Sequence, residues 1–89
     1  MDSRYPQQRS DVLLEMIGPE EAFLYNPASD AIHVLNYTAL TVWNQCNGSR
    51  SIPEIGAHLQ KVCRYNAATD VENDVLEIVG TFTELGVLV

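Results

Sequence analysis

Apolar residues alternate with polar ones in short runs up to residue 35, and from residue 36 onward they recur three and four positions apart. A period of about two marks extended chain and a period of about 3.6 marks helix, so the chain divides into a strand half and a helix half. "DVLLEMI" (11–17) reads as the first strand, with Val12, Leu14 and Met16 on one face. "GPEE" breaks it, the Gly-Pro pair supplying the turn. "AFLYN" (22–26) is the second strand, "PASD" the next turn and "AIHVL" (31–35) the third strand. Short strands with such tight connections predict an antiparallel meander.

Asn36 is a good N-cap for the first helix, whose Ala39, Val42, Trp43 and Cys46 share one face. Asn47-Gly48 is expected to end it, glycine supplying the left-handed stop. Ser51-Ile-Pro-Glu54 is a capping box that starts the second helix, with Pro53 tolerated in the first turn. Ile52, Ile55, Leu59 and Val62 form its buried stripe. Thr69-Asp-Val-Glu72 is a further capping box. Val71, Val75, Ile78, Phe82 and Leu85 follow at helical spacing, and Gly86 ends the third helix. The closing "VLV" is expected to pack.

The predicted order is βββααα, an α+β domain with its helices gathered after the sheet. Helices two and three, joined through "RYNAA", form a helix-turn-helix pair with the sheet as a wing, so the architecture is winged-helix-like. Residues 1–10 are set apart as a flexible lead-in to a domain spanning 11–89.

Charge turns this architecture away from its commonest use. Twelve acidic residues against five basic ones give a net charge of −7, and Arg4, Arg9, Arg50, Lys61 and Arg64 are scattered. A nucleic-acid binder needs clustered cations to displace counterions from phosphate, so nucleic acid is disfavoured. No apolar run is long enough to span a membrane, and "MDSRYPQQRSD" lacks a signal core, which points to the cytoplasm. Cys46 and Cys63 lack zinc or redox spacing and read as buried thiols.

No group of residues assembles into a catalytic set. His33 reads as a satisfied strand histidine and His58 as a solvated one, neither with a carboxylate or thiol at ligand spacing. Glu20-Glu21 falls in a turn, and Glu72 with Asp74 suits the dipole of a helix start. Ser49 and Ser51 lack a base, Gly48 is not part of a phosphate loop, and Trp43 reads as core. Neither an enzyme nor a cofactor is expected, and no metal ligands are assigned. Binding remains. The third strand of a meander is an edge, and Ala31, Ile32, His33, Val34 and Leu35 include neither the Lys nor the Pro that blocks such edges. Either a peptide adds there, with pockets from a neighbouring helix, or the edge is covered by the third helix or a second subunit.

"VLNYTALTVWNQCNGSRSIPEIGAHL" with "DVENDVLEIVGTFTELGVLV" resembles the PqqD-like family, also called RiPP recognition elements. The matching features are Leu35-Asn36 at the strand end, Ala39 and Trp43 in the first helix and the Asn47-Gly48 turn. Ser51, Glu54 and Ile55 follow, then Asp74 and Val75, and Leu85-Gly86-Val87-Leu88 at the close. The family often has Asp-Gly at that turn, and Gly at the position of Asp30.

The resemblance implies a non-catalytic chaperone. It would bind the leader of a ribosomally made precursor peptide and present it to a modifying enzyme, commonly a radical S-adenosylmethionine protein, elsewhere a cyclodehydratase or leader peptidase. It implies a leader lying along Ala31–Leu35 beside the third helix, with Val71, Asp74, Val75 and Ile78 as the helix side of the site. Two other readings stay open: a winged-helix nucleic-acid regulator, and a self-assembling domain. The chain could be monomer or homodimer.

Overall fold

The computed structural model describes residues 5–62 and 70–89. The element order is β1 (Leu13–Met16), β2 (Ala22–Asn26), β3 (Ala31–Leu35), α1 (Tyr37–Gln45), α2 (Ile52–Val62) and α3 (Val71–Glu84). The three strands form one antiparallel sheet in the order β1-β2-β3, which is the expected α+β meander followed by helices.

Sheet register decides what each residue can do. Leu13, Tyr25 and Ile32 stand opposite one another across the sheet, and so do Glu15, Phe23 and Val34. Opposed residues share a face, so these two rows make one side of the sheet. The other side carries Leu14, Leu24 and His33, then Met16, Ala22 and Leu35. Ala22, Leu24 and Leu35 are buried in the core with Trp43, Ile55, Leu59, Val75 and Phe82, so this second side is the inner one, with the helices packed against it.

The helices are held by the caps that the chain predicts, with small shifts. The Asn36 side chain accepts from the Ala39 N–H at 2.9 Å, so β3 passes into α1 through its cap residue alone. In the Ser51/Glu54 box, Ser51 N–H donates to Glu54 Oε1 at 2.9 Å and Glu54 N–H to Ser51 Oγ at 3.3 Å. Ser51's backbone hydrogen bond, and then its hydroxyl, hold the Glu54 carboxyl below its ordinary value. At α3 the cap is Asp70, whose side chain accepts from Asn73 N–H at 3.1 Å; Thr69, the expected cap, lies outside the described residues. The far end of α3 closes with two bonds: Val87 N–H to Phe82 O at 3.2 Å and Gly86 N–H to Thr83 O at 3.1 Å. This Schellman closure needs a left-handed residue, and Gly86 supplies φ 72°.

Some expectations change. β1 begins at Leu13 and all four of its residues are exposed: Leu14 at 37% and Met16 at 53% are uncovered on the inner side, because no β1 residue reaches the core that the helices build over β2 and β3. α1 stops at Gln45, before Asn47-Gly48; Cys46 N–H closes the last turn on Trp43 O, and Gly48 (φ 84°) serves the following loop. Val62, expected in the buried stripe, is 40% exposed at the end of α2. The "RYNAA" connection and Cys63 lie outside the described residues.

The lead-in is tied into the domain over residues 6–9. Pro6 O accepts from Gly48 N–H, Gln8 N–H donates to Cys46 O, and Arg9 N–H donates to Val87 O, each at 2.9 Å. Gln8 Nε2 adds a 2.6 Å bond to Trp43 O. The C-terminal "VLV" packs as expected, with Val87 fully buried and Val89 N–H donating to Gln7 O at 2.8 Å.

Candidate functional site

Which strand edge can accept a partner follows from one hydrogen bond. Ile17 N–H donates to Glu21 O at 2.9 Å, and this pair continues the register of β1 with β2. In an antiparallel ladder every second residue turns both its N–H and C=O to the same neighbour. Phe23 and Tyr25 therefore face β1, Ala22, Leu24 and Asn26 face β3, and on β3 it is Ala31, His33 and Leu35 that answer them. The N–H and C=O of Ile32 and Val34 point away from the sheet. Among the described residues neither has a backbone partner outside its strand.

Beside this edge lies a groove of about 430 Å³ lined by β3 (Ile32, His33, Val34, Leu35), by Ala39 of α1 and by Ile78, Thr81, Phe82 and Leu85 at the end of α3. The α3 residues fall at i, i+3, i+4 and i+7, one face of the helix. Phe82 forms the floor, 2% exposed and held edge-on to Trp43 with ring centroids 5.5 Å apart. Polar side chains among the lining residues are His33 and Thr81, so the groove is an apolar channel. Thr81 Oγ1 is already occupied, donating to Glu77 O at 3.1 Å.

Asn26 sets the spacing between the two walls. It is 2% exposed, and its Nδ2 donates to Leu85 O at 3.1 Å while its Oδ1 accepts from Ala28 N–H at 3.1 Å. One buried amide thus pins the β2–β3 turn to the last turn of α3, next to Leu85 in the groove wall. The same turn contains Asp30, a non-glycine residue at φ 56°, in the left-handed region that ordinarily favours glycine. Asp30 Oδ1 accepts from Tyr25 Oη–H at 2.6 Å, and this bond raises the Tyr25 phenol above its ordinary value.

The expected site residues divide. Ile32, His33, Val34, Leu35 and Ile78 line the groove. Ala31 does not; it pairs with Asn26 at the start of β3. Val71 (7% exposed) and Val75 (0%) are core, and Asp74 lies a helical turn before Ile78, outside the lining. Ala39, Thr81, Phe82 and Leu85 were not expected there. Phe82 and Leu85 are legible only as members of the apolar stripe. His33, expected to be a satisfied strand histidine, is half-buried in the groove with no side-chain hydrogen bond among the described residues. Thiol chemistry is unfavourable at Cys46: burial pushes its thiol up to about 12, and Sγ donates to Val42 O at 3.2 Å.

An open β3 edge, an apolar channel beside it and a long helix as the second wall define the candidate site of a small α+β domain. The sequence profile described as "Coenzyme PQQ synthesis protein D (PqqD)" matches residues 21–88, and the chain belongs to that family. Among solved structures the fold is similar to "TbiB1 in Complex with the TbiA(beta) Leader Peptide", with a TM-score of 0.73 and 15% sequence identity over 92% of this chain and 93% of that one. A comparison with curated proteins finds no match. No described helix is long and apolar enough to cross a membrane.

Proposed function

We propose that this domain binds the leader segment of a ribosomally made precursor peptide as a fourth strand on β3. It then presents the rest of the precursor to a modifying enzyme, of the radical S-adenosylmethionine class that the family resemblance implies. The observation that carries this is the coincidence of two features on one edge: the outward N–H and C=O groups of Ile32 and Val34, and the apolar groove that begins beside them. An added strand satisfies the first through its main chain and fills the second with alternate side chains. Membership in the PqqD family and the likeness to a protein solved with a leader peptide agree with this use of the edge. The domain supplies no chemistry itself, and it works in the cytoplasm, where such precursors are made.

The nucleic-acid alternative has no support in the helices. α3, which would be the reading helix, contains Glu72, Asp74, Glu77 and Glu84 and no Lys or Arg. A helix of that charge repels phosphate.

The test is capture from native lysate on the immobilised protein at moderate salt, with mass spectrometry directed at short peptides, run beside a Val34→Pro bait. Wild type should retain a precursor peptide and the folded variant should lose it. Equal recovery on both would overturn strand addition at this edge.

A further inference from the structure

The outer face of the sheet is left bare. Among the described residues its two rows, Leu13-Tyr25-Ile32 and Glu15-Phe23-Val34, have no helix over them, and Leu13, Ile32 and Val34 are 59%, 63% and 65% exposed. Contiguous apolar surface of this kind marks a protein contact. A second copy is a poor occupant. Charge opposes it: residues 10–49 contain no Lys or Arg, while Glu15 sits on the face and Glu21 and Asp30 at its ends. Two copies would set carboxylates against carboxylates with no cation between them.

The face is continuous with the peptide edge through two residues. Ile32 and Val34 turn their backbone groups toward the free edge and their side chains onto the outer face. A strand added to β3 would send alternate side chains into the groove and the others onto this face, beside Ile32 and Val34. The apolar surface would then gain a further row.

We propose that the outer face of the sheet is the docking surface for the modifying enzyme, that the bound leader strand forms part of it, and that the enzyme meets it with an apolar patch rimmed by Lys or Arg. This rests on the peptide-presenting function proposed above. The domain would thereby offer its full docking surface only when loaded, since the loaded face is larger than the bare one by one strand.

The test places a photo-crosslinking benzoylphenylalanine at position 13, on the outer face and on the strand farthest from β3, in the native host. The protein joined to it is identified, purified and assayed on the captured precursor peptide with wild type, Leu13→Lys, Ile17→Lys and Leu14→Lys. Leu13 and Ile17 are 59% and 57% exposed, so both variants keep the core intact. The joined protein should modify the peptide in the presence of wild type. Leu13→Lys and Ile17→Lys should lower that rate about tenfold, the scale of losing one central contact, while peptide affinity stays within about twofold. Leu14→Lys, on the inner side of the same strand, should change neither. Crosslinking to a second copy of this chain or to nothing, or full modification with both outer-face lysines, would overturn the proposal. Loss of peptide affinity in wild type itself would instead count against peptide presentation.

Discussion

The sheet has two open edges, and they are not equivalent. β3 ends in the buried Leu35, turns directly into α1, and has the end of α3 standing across from it. β1 is exposed at all four positions, and none of its residues lines the groove. Among the described residues both edges present unpaired backbone groups: Ile32 and Val34 on β3, and by the same alternation Leu14 and Met16 on β1. The difference teaches that a free edge supplies generic attraction, while a helix wall beside it supplies somewhere for side chains to go. Only the edge with both can select a sequence.

Proline substitution breaks the comparison most sharply. Val34→Pro removes an outward donor and leaves the β2–β3 ladder intact, because Val34 N–H does not serve it. Peptide affinity should fall about 30- to 100-fold, the cost of leaving main-chain groups unpaired in a dry contact, while thermal unfolding shifts little. Leu14→Pro makes the same change on the other edge and should leave affinity unaltered by titration calorimetry.

Asn26→Ala should come next, acting on both stability and groove width. It strips the partners from Leu85 O and Ala28 N–H, at a cost of about 1–3 kcal/mol in denaturant unfolding. Peptide affinity should fall as well, because α3 loses its tie to the strand layer at the groove.

Thr81→Lys tests the helix wall alone. Thr81 is exposed at the groove, so a cationic side chain there should weaken binding by about tenfold without loss of stability. Asp74→Arg should have the smallest effect, about two- to threefold and lost in high salt, since Asp74 stands a turn away from the lining. A larger effect for Asp74→Arg than for Thr81→Lys would move the site toward the start of α3, where the family resemblance places it.

The groove at the end of α3 shows what the chain reveals and what it withholds. β2, β3, the Asn36 cap, the Ser51/Glu54 box and the Gly86 stop all have local causes, so their residues announce them. The exposure of β1 has no local cause: "LLEM" is as apolar as a covered strand, and only the placement of the helices over β2 and β3 leaves it bare. The groove was half legible. Periodicity puts Ile78, Phe82 and Leu85 on one stripe, but it cannot tell where that stripe leaves the core and meets β3. Asn26 decides this by fixing the end of α3 to the turn before β3, a contact 59 residues apart in the chain.

The most direct test of strand addition is amide hydrogen exchange, followed by NMR, with and without the captured leader peptide. Protection should rise by about 100-fold or more at Ile32 and Val34, whose N–H groups become ladder donors, and stay unchanged at Leu14 and Met16. Unchanged exchange at Ile32 and Val34 in a peptide-saturated sample would contradict strand addition on β3, and new protection at Leu14 and Met16 would assign the peptide to the other edge.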